Sequence, residues 1–433
     1  MLWQPSLPEP YLRATPDELA VRIAARRKEL GDSLVILGHH YQTDEIIRHA
    51  DFTGDSLKLS QIAAQLAGSR SPDNPVKYVV FCGVHFMAES ADMLTPDSVS
   101  VILPDLSAGC SMADMAQYDD TVHAWETIHA ALKEQGWRGR VIPITYVNSS
   151  AAIKAFVGAH AGACCTSSNA RAVFEWAVSG GTALPGGDAP GTAPKGGARN
   201  EDIKVLFLPD QHLGRNTAAA YGIDVARHTT VYDPRLTRKG QDLGGTTPEK
   251  LLDARVILWA GHCSVHKLFR PEHCDQIREG DRRGTALPGG ATTILVHPEC
   301  AKEVVDKADL SGSTEFIIKT IREAKPGSRW AVGTEIHLVN RLAKEAAARD
   351  VHVRILSDCQ CLCTTMYRID QPHLLWVLDN LAGALSKDGK PRVVNEIRVH
   401  PKVREQALLA LDRMLACTST KPRPRREALA TAD

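Results

Sequence analysis

Eleven cysteines and seventeen histidines are the side chains of this 433-residue chain best suited to ligating metals and to moving protons near neutral pH. Cys110 closes PDLSAGCSMAD, Cys263 sits in WAGHCSVH, and Cys359, Cys361 and Cys363 crowd SDCQCLCTTM, each segment following an apolar run. Cys82 and Cys300 also end such runs, Cys164 and Cys165 are neighbours in ACCTSSN, and Cys274 and Cys417 stand in polar or helical context. Two close Cx2–4C pairs would point to structural zinc, and a compact Cx2Cx2C run to a ferredoxin-type cluster; the sequence has neither. Three cysteines distant in sequence can share a metal centre only if the fold gathers them, and they then form an incomplete ligand set. Zinc would complete that set with water. A [4Fe–4S] cluster would keep one iron open as a Lewis acid. Spacing does not choose between them, but open catalytic zinc sites usually include histidine, which favours iron–sulfur. The other cysteines read as small buried hydrophobes.

Positioning such residues requires rigid elements behind them. Thr15, Pro16 and Glu18 spell an N-cap, a first-turn proline and a capping-box partner, so a first helix begins there, with Leu19, Ile23 and Leu30 on one face. Beyond it, short apolar runs recur at Leu34–Leu37, Val76–Cys82, Val101–Leu103, Val141–Val147, Lys204–Leu208, Val256–Trp259, Thr293–Val296, Trp330–Val332 and Val351–Leu356. Most precede a helical pattern, which predicts parallel strands buried on both faces and an α/β fold. The segments leaving these runs read GHHYQ, CGVHF, PDLSAGC, YVNSS, PDQHL, GHCSVH, HPEC, GTEIH and SDCQC. Ligands of open α/β sheets bind beyond the carboxyl ends of strands, so nine polar exits rich in His and Cys predict one shared site. Turn formation and capping would explain their Ser and Asn but not the repeated His and Cys.

Composition narrows the function class. Lys+Arg and Asp+Glu both number 51, and the sequence pI is near 7.3, so no global field draws the chain to nucleic acid or anionic lipid. No apolar run reaches the ~18–20 residues of a membrane helix, and the N-terminus lacks a secretion pattern, so a cytoplasmic chain with reduced thiols is expected. Dinucleotide and Walker glycine loops and a Cx3Cx2C motif are absent. Two segments read as insertions, 179–201 and 278–290, each carrying the heptapeptide GTALPGG; residues 418–433 read as a disordered tail.

Eleven motifs together resemble the quinolinate synthases, the quinolinate synthetase A family. They are GHHYQ (38–42), GDSLKLS (54–60), GVHFMAESA (83–91), AGCSMAD (108–114), YVNSSA (146–151), CTSSNA (165–170), PDQHLG (209–214), CSVH (263–266), HPEC (297–300), GSTEF (312–316) and CTTMYRID (363–370). The resemblance covers about residues 30–380 in the family's order. It implies three pseudo-threefold-related αβα domains with short parallel sheets and an active site at their central interface. On that basis the first domain is 20–110 plus 355–417, the second 111–262 and the third 263–354. It further implies one [4Fe–4S] cluster per chain, held by Cys110, Cys263 and Cys363 with one open iron, although an extended 359–363 stretch would turn Cys361 to the same side as Cys363. His39, Ser56, Tyr146, Asn148, Ser167, His297, Glu299 and Thr314 match substrate-binding positions, with Tyr41, His297 and Glu299 as the acid–base and catalytic group. The implied reaction condenses iminosuccinate (iminoaspartate) with dihydroxyacetone phosphate to quinolinate, losing phosphate and water, in NAD biosynthesis, with L-aspartate oxidase as a possible supplier. Competing readings are a zinc or iron–sulfur hydro-lyase and a redox-sensing or metal-storage module.

Overall fold

The computed structural model describes residues 3–69, 76–181, 202–284, 290–358 and 361–418. Fourteen strands occur in them: β1 Leu34–His39, β2 Phe52–Gly54, β3 Tyr78–Cys82, β4 Ser100–Ile102, β5 Arg140–Tyr146, β6 Ala163–Cys165, β7 Ile203–Leu208, β8 Thr229–Tyr232, β9 Val256–Trp259, β10 Thr292–Val296, β11 Leu310–Ser311, β12 Arg329–Gly333, β13 His352–Ile355 and β14 Glu396–Ile397. They form three sheets, ordered β14-β4-β3-β1-β2, β6-β5-β7-β9-β8 and β11-β10-β12-β13. Every pairing is parallel except β14 with β4. The chain is therefore an α/β protein with short parallel sheets, as the alternating runs predict.

One topology recurs. In each sheet the first strand of the unit lies between the second and the third, so the order reverses between β1 and β3, between β5 and β7, and between β10 and β12. At such a reversal the flanking connections diverge to opposite faces and leave a crevice at the carboxyl ends. All nine apolar runs are strands. The five strands the runs do not announce, β2, β6, β8, β11 and β14, are all at sheet edges. They have two to four residues each, too few for an apolar run to stand out.

Each sheet is covered by helices on its own core. The first buries Leu34–Leu37 and Val79–Cys82 together with Leu374, Leu375, Val377 and Leu378 from helix Gln371–Leu381. The third has separate apolar layers on its two faces. The second core holds a difference from the expected grouping. Helix Pro401–Thr418, read from the sequence with the first unit, buries Ala407, Ala410, Leu411 and Met414 against the second sheet and packs along helix Ala151–Ala159. Gly158 permits this approach, because a Cβ there would lie 1.9 Å from the carbonyl oxygen of Gln406. Likewise, residues 278–282 do not belong to a loop. They complete helix Pro271–Arg282, where Arg278 donates to the Thr292 carbonyl at 2.8 Å and pairs with Asp309 at 2.7 Å. The GTALPGG repeats (bar their terminal glycines Gly181, Gly284 and Gly290), most of the 179–201 segment, Cys359 and residues 419–433 lie outside the described residues. Among the described residues no helix is long and apolar enough to cross a membrane.

Candidate active site

A cavity opens where the carboxyl ends of the three sheets meet. His39, Tyr41, Ser56, Cys110, Tyr146, Asn148, Ser167, Cys263, His297, Glu299, Thr314 and Cys363 all line it. These are the twelve residues that the sequence reading singled out. The repeated topology explains why they meet. First-strand exits deliver His39 and Tyr41 at the end of β1, Tyr146 and Asn148 at the end of β5, and His297 and Glu299 after β10. Second-strand exits deliver the hydroxyls Ser56 after β2, Ser167 after β6 and Thr314 after β11.

The cysteines follow the last parallel strand of each unit and share one local design. A single helical turn comes next (Ser111–Asp114, His266–Leu268 or Met366–Arg368), and then a longer helix whose first residue, Tyr118, Pro271 or Gln371, stands eight positions after the cysteine. The turn aims backbone N–H groups at each sulfur: Met112 and Ala113 at Cys110, His266 at Cys263, Thr365 and Met366 at Cys363. Burial pushes the Cys110 thiol up to about 12 and holds Cys263 and Cys363 above the ordinary thiol range as well; as a nearby negative charge Cys363 raises both Cys110 and Cys263, and Cys110 raises Cys263. Three converging thiols that resist ionisation together, yet already receive amide donors, suit a multinuclear cationic centre such as a [4Fe–4S] cluster. Cys361 is not part of this set. Its side chain is fully buried in the third unit's core, 3.2 Å from the Ser357 hydroxyl, while Cys363 faces the cavity. The extended reading of 359–363 therefore does not hold through Cys363. Gly261 brings Cys263 close to the second sheet, since a Cβ there would lie 2.2 Å from the Pro209 carbonyl oxygen.

Capping duties are divided so that the cavity hydroxyls are not consumed by them. Asp55 accepts the Lys58 N–H at 2.9 Å at the start of helix Ser56–Ser69. Ser313, not Thr314, caps helix Thr314–Arg322 by accepting from Phe316 N–H at 3.3 Å. The Thr314 hydroxyl instead lies 3.3 Å from the Tyr41 phenol, which also lies 3.0 Å from the Thr334 hydroxyl. Arg341 braces the loop after β1 by donating to the carbonyls of His40 and Gln42.

Glu299 is the electrostatic centre. Its carboxylate receives His266 Nδ1 at 2.8 Å and the Tyr146 hydroxyl, and sits 3.9 Å from His297 Nδ1. Burial alone would raise its pKa, but the imidazoles of His266 and His297 and the tyrosine hydrogen bond hold it well below the ordinary range. Asp210, fully buried, moves the other way, raised by burial and by the charge on Glu299. Its Oδ1 caps helix Gln211–Tyr221, and the Cys263 backbone N–H also favours its charged form. Burial lowers both His39 and His297 to about 3, so both rings are neutral at physiological pH. Each first-strand histidine accepts, at Nδ1, the N–H two residues on, Tyr41 for His39 at 3.1 Å and Glu299 for His297 at 3.4 Å. Burial and Glu299 raise both tyrosines, leaving neutral phenols.

Three residues outside the expected set belong to this arrangement. His266 stacks on His297 with centroids 4.5 Å apart and links Glu299 to Thr334, its Nε2 lying 3.2 Å from the Thr334 hydroxyl. The result is a continuous chain, Ser167–Tyr146–Glu299–His266–Thr334–Tyr41–Thr314, drawn from all three sheets. His266 and Thr334 stood in the strand exits GHCSVH and GTEIH, and Asp210 in PDQHL. Only the topology that joins these exits separates them from ordinary turn residues.

A family model described as Quinolinate synthetase A protein matches residues 21–184 and 197–416. Among curated relatives, quinolinate synthase of Acidobacterium capsulatum is 51% identical over 409 residues, covering 94% of this chain and 94% of its own length. The Nocardioides sp. quinolinate synthase is 50% identical, covering 93% of this chain and 90% of its own length. The Rhodopirellula baltica quinolinate synthase is 46% identical, covering 94% and 93%. With the motifs, the repeated sheets and this extent of identity in agreement, the chain belongs to the quinolinate synthetase A family.

Proposed function

We propose that the cavity condenses iminosuccinate with dihydroxyacetone phosphate and closes the pyridine ring of quinolinate, losing phosphate and water. The observation that carries this reading is the hydrogen-bonded chain through Glu299, which ties two neutral phenols to one ionised carboxylate beside the three thiols. Both substrates are anionic, while the chain's formal net charge is zero. Recognition therefore falls to local donors: the hydroxyls of Ser56, Ser167 and Thr314, the Asn148 amide, and the Nε2–H of neutral His39 and His297. Hydroxyls beside helix starts also gain from the positive end of the helix dipole.

Proton traffic divides by charge state. Glu299, kept ionised, accepts protons from carbon or nitrogen during tautomerisation. Tyr41 and Tyr146, kept as phenols, donate to departing or developing oxyanions, and Thr334 and His266 reconnect Tyr41 to the carboxylate. Cys110, Cys263 and Cys363 would hold a [4Fe–4S] cluster, which when bound supplies an iron without a protein ligand as a Lewis acid for removing hydroxide. Iminosuccinate hydrolyses readily, so supply by L-aspartate oxidase in the same compartment, the cytoplasm, completes the reading. The test is an anaerobic assay with iminosuccinate generated in situ and dihydroxyacetone phosphate, followed by product identification. Quinolinate and stoichiometric inorganic phosphate are expected. Dehydration of a hydroxy acid without ring formation would instead favour the hydro-lyase reading.

A further inference from the structure

Cys263, His266 and Glu299 offer a sulfur, a ring nitrogen and a carboxylate oxygen that lie within 4.8 Å of one another. They are the only such trio of metal-ligating atoms among the described residues. From this geometry we infer a second metal site, one for a single divalent cation of the zinc class, that shares Cys263 with the three-cysteine set and cannot be filled together with it. The exclusion rests on the cluster reading above; the ion site itself does not.

The donor set suits that class of ion. Zinc takes Cys, His and carboxylate ligands at about 2.0–2.3 Å, so tetrahedral partners stand about 3.5 Å apart; the widest separation in the trio must close by about 1 Å, while His266 Nδ1 and Glu299 Oε2, 2.8 Å apart, must open by about 0.5 Å. Three protein ligands with a fourth position open to the cavity is the pattern of catalytic zinc. One thiolate and one imidazole disfavour magnesium and calcium, which prefer oxygen.

Support around the ligands is already built. Nδ1 of His266 points at Glu299 Oε2 from 2.8 Å, so an ion inserted there replaces one hydrogen bond. Nε2 then keeps its hydrogen bond to Thr334, the outer partner that ligating histidines generally have. The Tyr146 hydroxyl holds the carboxylate, and the His297 ring fixes the plane of His266. A thiolate and a carboxylate balance the charge of the ion, the thiol proton leaving to solvent.

The experiment uses the full chain, stripped of metal anaerobically under reductant, incubated with zinc sulfate and desalted before zinc quantification. About one zinc per chain is expected for the unaltered chain, and the same for Cys110→Ala and Cys363→Ala. Binding should fall at least tenfold in His266→Asn and Glu299→Gln, both of which should still take up iron and sulfide, which also demonstrates that they fold. Zinc-edge X-ray absorption of the unaltered chain should give a single sulfur among nitrogen and oxygen ligands. Three sulfurs, or zinc lost with Cys110, would overturn the proposal. Zinc in the expected pattern with no cluster in any protein would sink the cluster reading and leave the ion site standing. Zinc-loaded chain should resist cluster assembly until chelator is added; ready assembly with zinc still bound would contradict the exclusion.

Discussion

Glu299 is a carboxylate kept ionised where burial favours the neutral acid, beside an aspartate, Asp210, that burial and the Glu299 charge push well above the ordinary range. Carboxyl groups driven apart in this way mark a base and a reservoir of protons rather than two equivalent acids. Glu299→Gln should therefore retain iron and sulfide but lose about 10²–10⁴ in turnover, the range for removing a general base. Loss of cluster and cooperative unfolding together would show that its role is structural. Two other residues tie the first unit to pH. Burial holds His39 at about 3 and His49 at about 4, below the ordinary histidine value. Between pH 6.5 and those values the unfolded chain binds protons that the folded chain refuses. Their contribution is thus complete above about pH 6.5 and is lost as pH falls, by about 1.4 kcal/mol per group per pH unit. Denaturant titrations at pH 7.5, 6 and 5 should record that decline, with a shallower slope in His49→Gln.

Elements decide which side chains are free to act. Because Ser313 performs the capping of helix Thr314–Arg322, Ser313→Ala should cost about 1 kcal/mol of stability. Its effect on substrate binding should be small. Thr314→Val should do the reverse, leaving the thermal midpoint nearly unchanged and raising KM about ten- to a hundredfold, the loss of one hydrogen bond to a charged group. A steady-state comparison of the two variants with melting curves separates these roles; equal effects on both readouts would contradict the division. The same scale explains what the sequence could convey. Eight interior strands were legible because burial on both faces demands continuous apolar runs, and the edge strand β13 through its Val351–Leu356 run, whereas β2, β11 and β14, with two or three largely exposed residues, carry no such demand. The histidines and cysteines stood out because imidazole and thiol at strand exits are poor turn formers, whereas Tyr41 and Glu299 came only with the family resemblance. His266 and Thr334 did not, since their importance lies in contacts with residues 33 and 68 positions away. The terminal helix was misgrouped for a related reason: what seats it is the missing side chain of Gly158, which no periodicity records.

At the scale of the molecule, three units repeat one strand order and each ends in a cysteine eight residues before a helix, so no single unit holds a complete site. The cavity exists only where all three meet, and the hydrogen-bonded chain through Glu299 crosses from the second sheet to the third and on to the first. The most direct measurement is iron and acid-labile sulfide per chain after anaerobic purification, in the unaltered protein and in Cys110→Ala, Cys263→Ala and Cys363→Ala, with Cys361→Ala as the control. About four iron and four sulfide per chain are predicted for the unaltered protein and for Cys361→Ala, and near none for each of the other three. A full complement in any of those three, or its loss in Cys361→Ala alone, would contradict the assignment of one ligand to each unit.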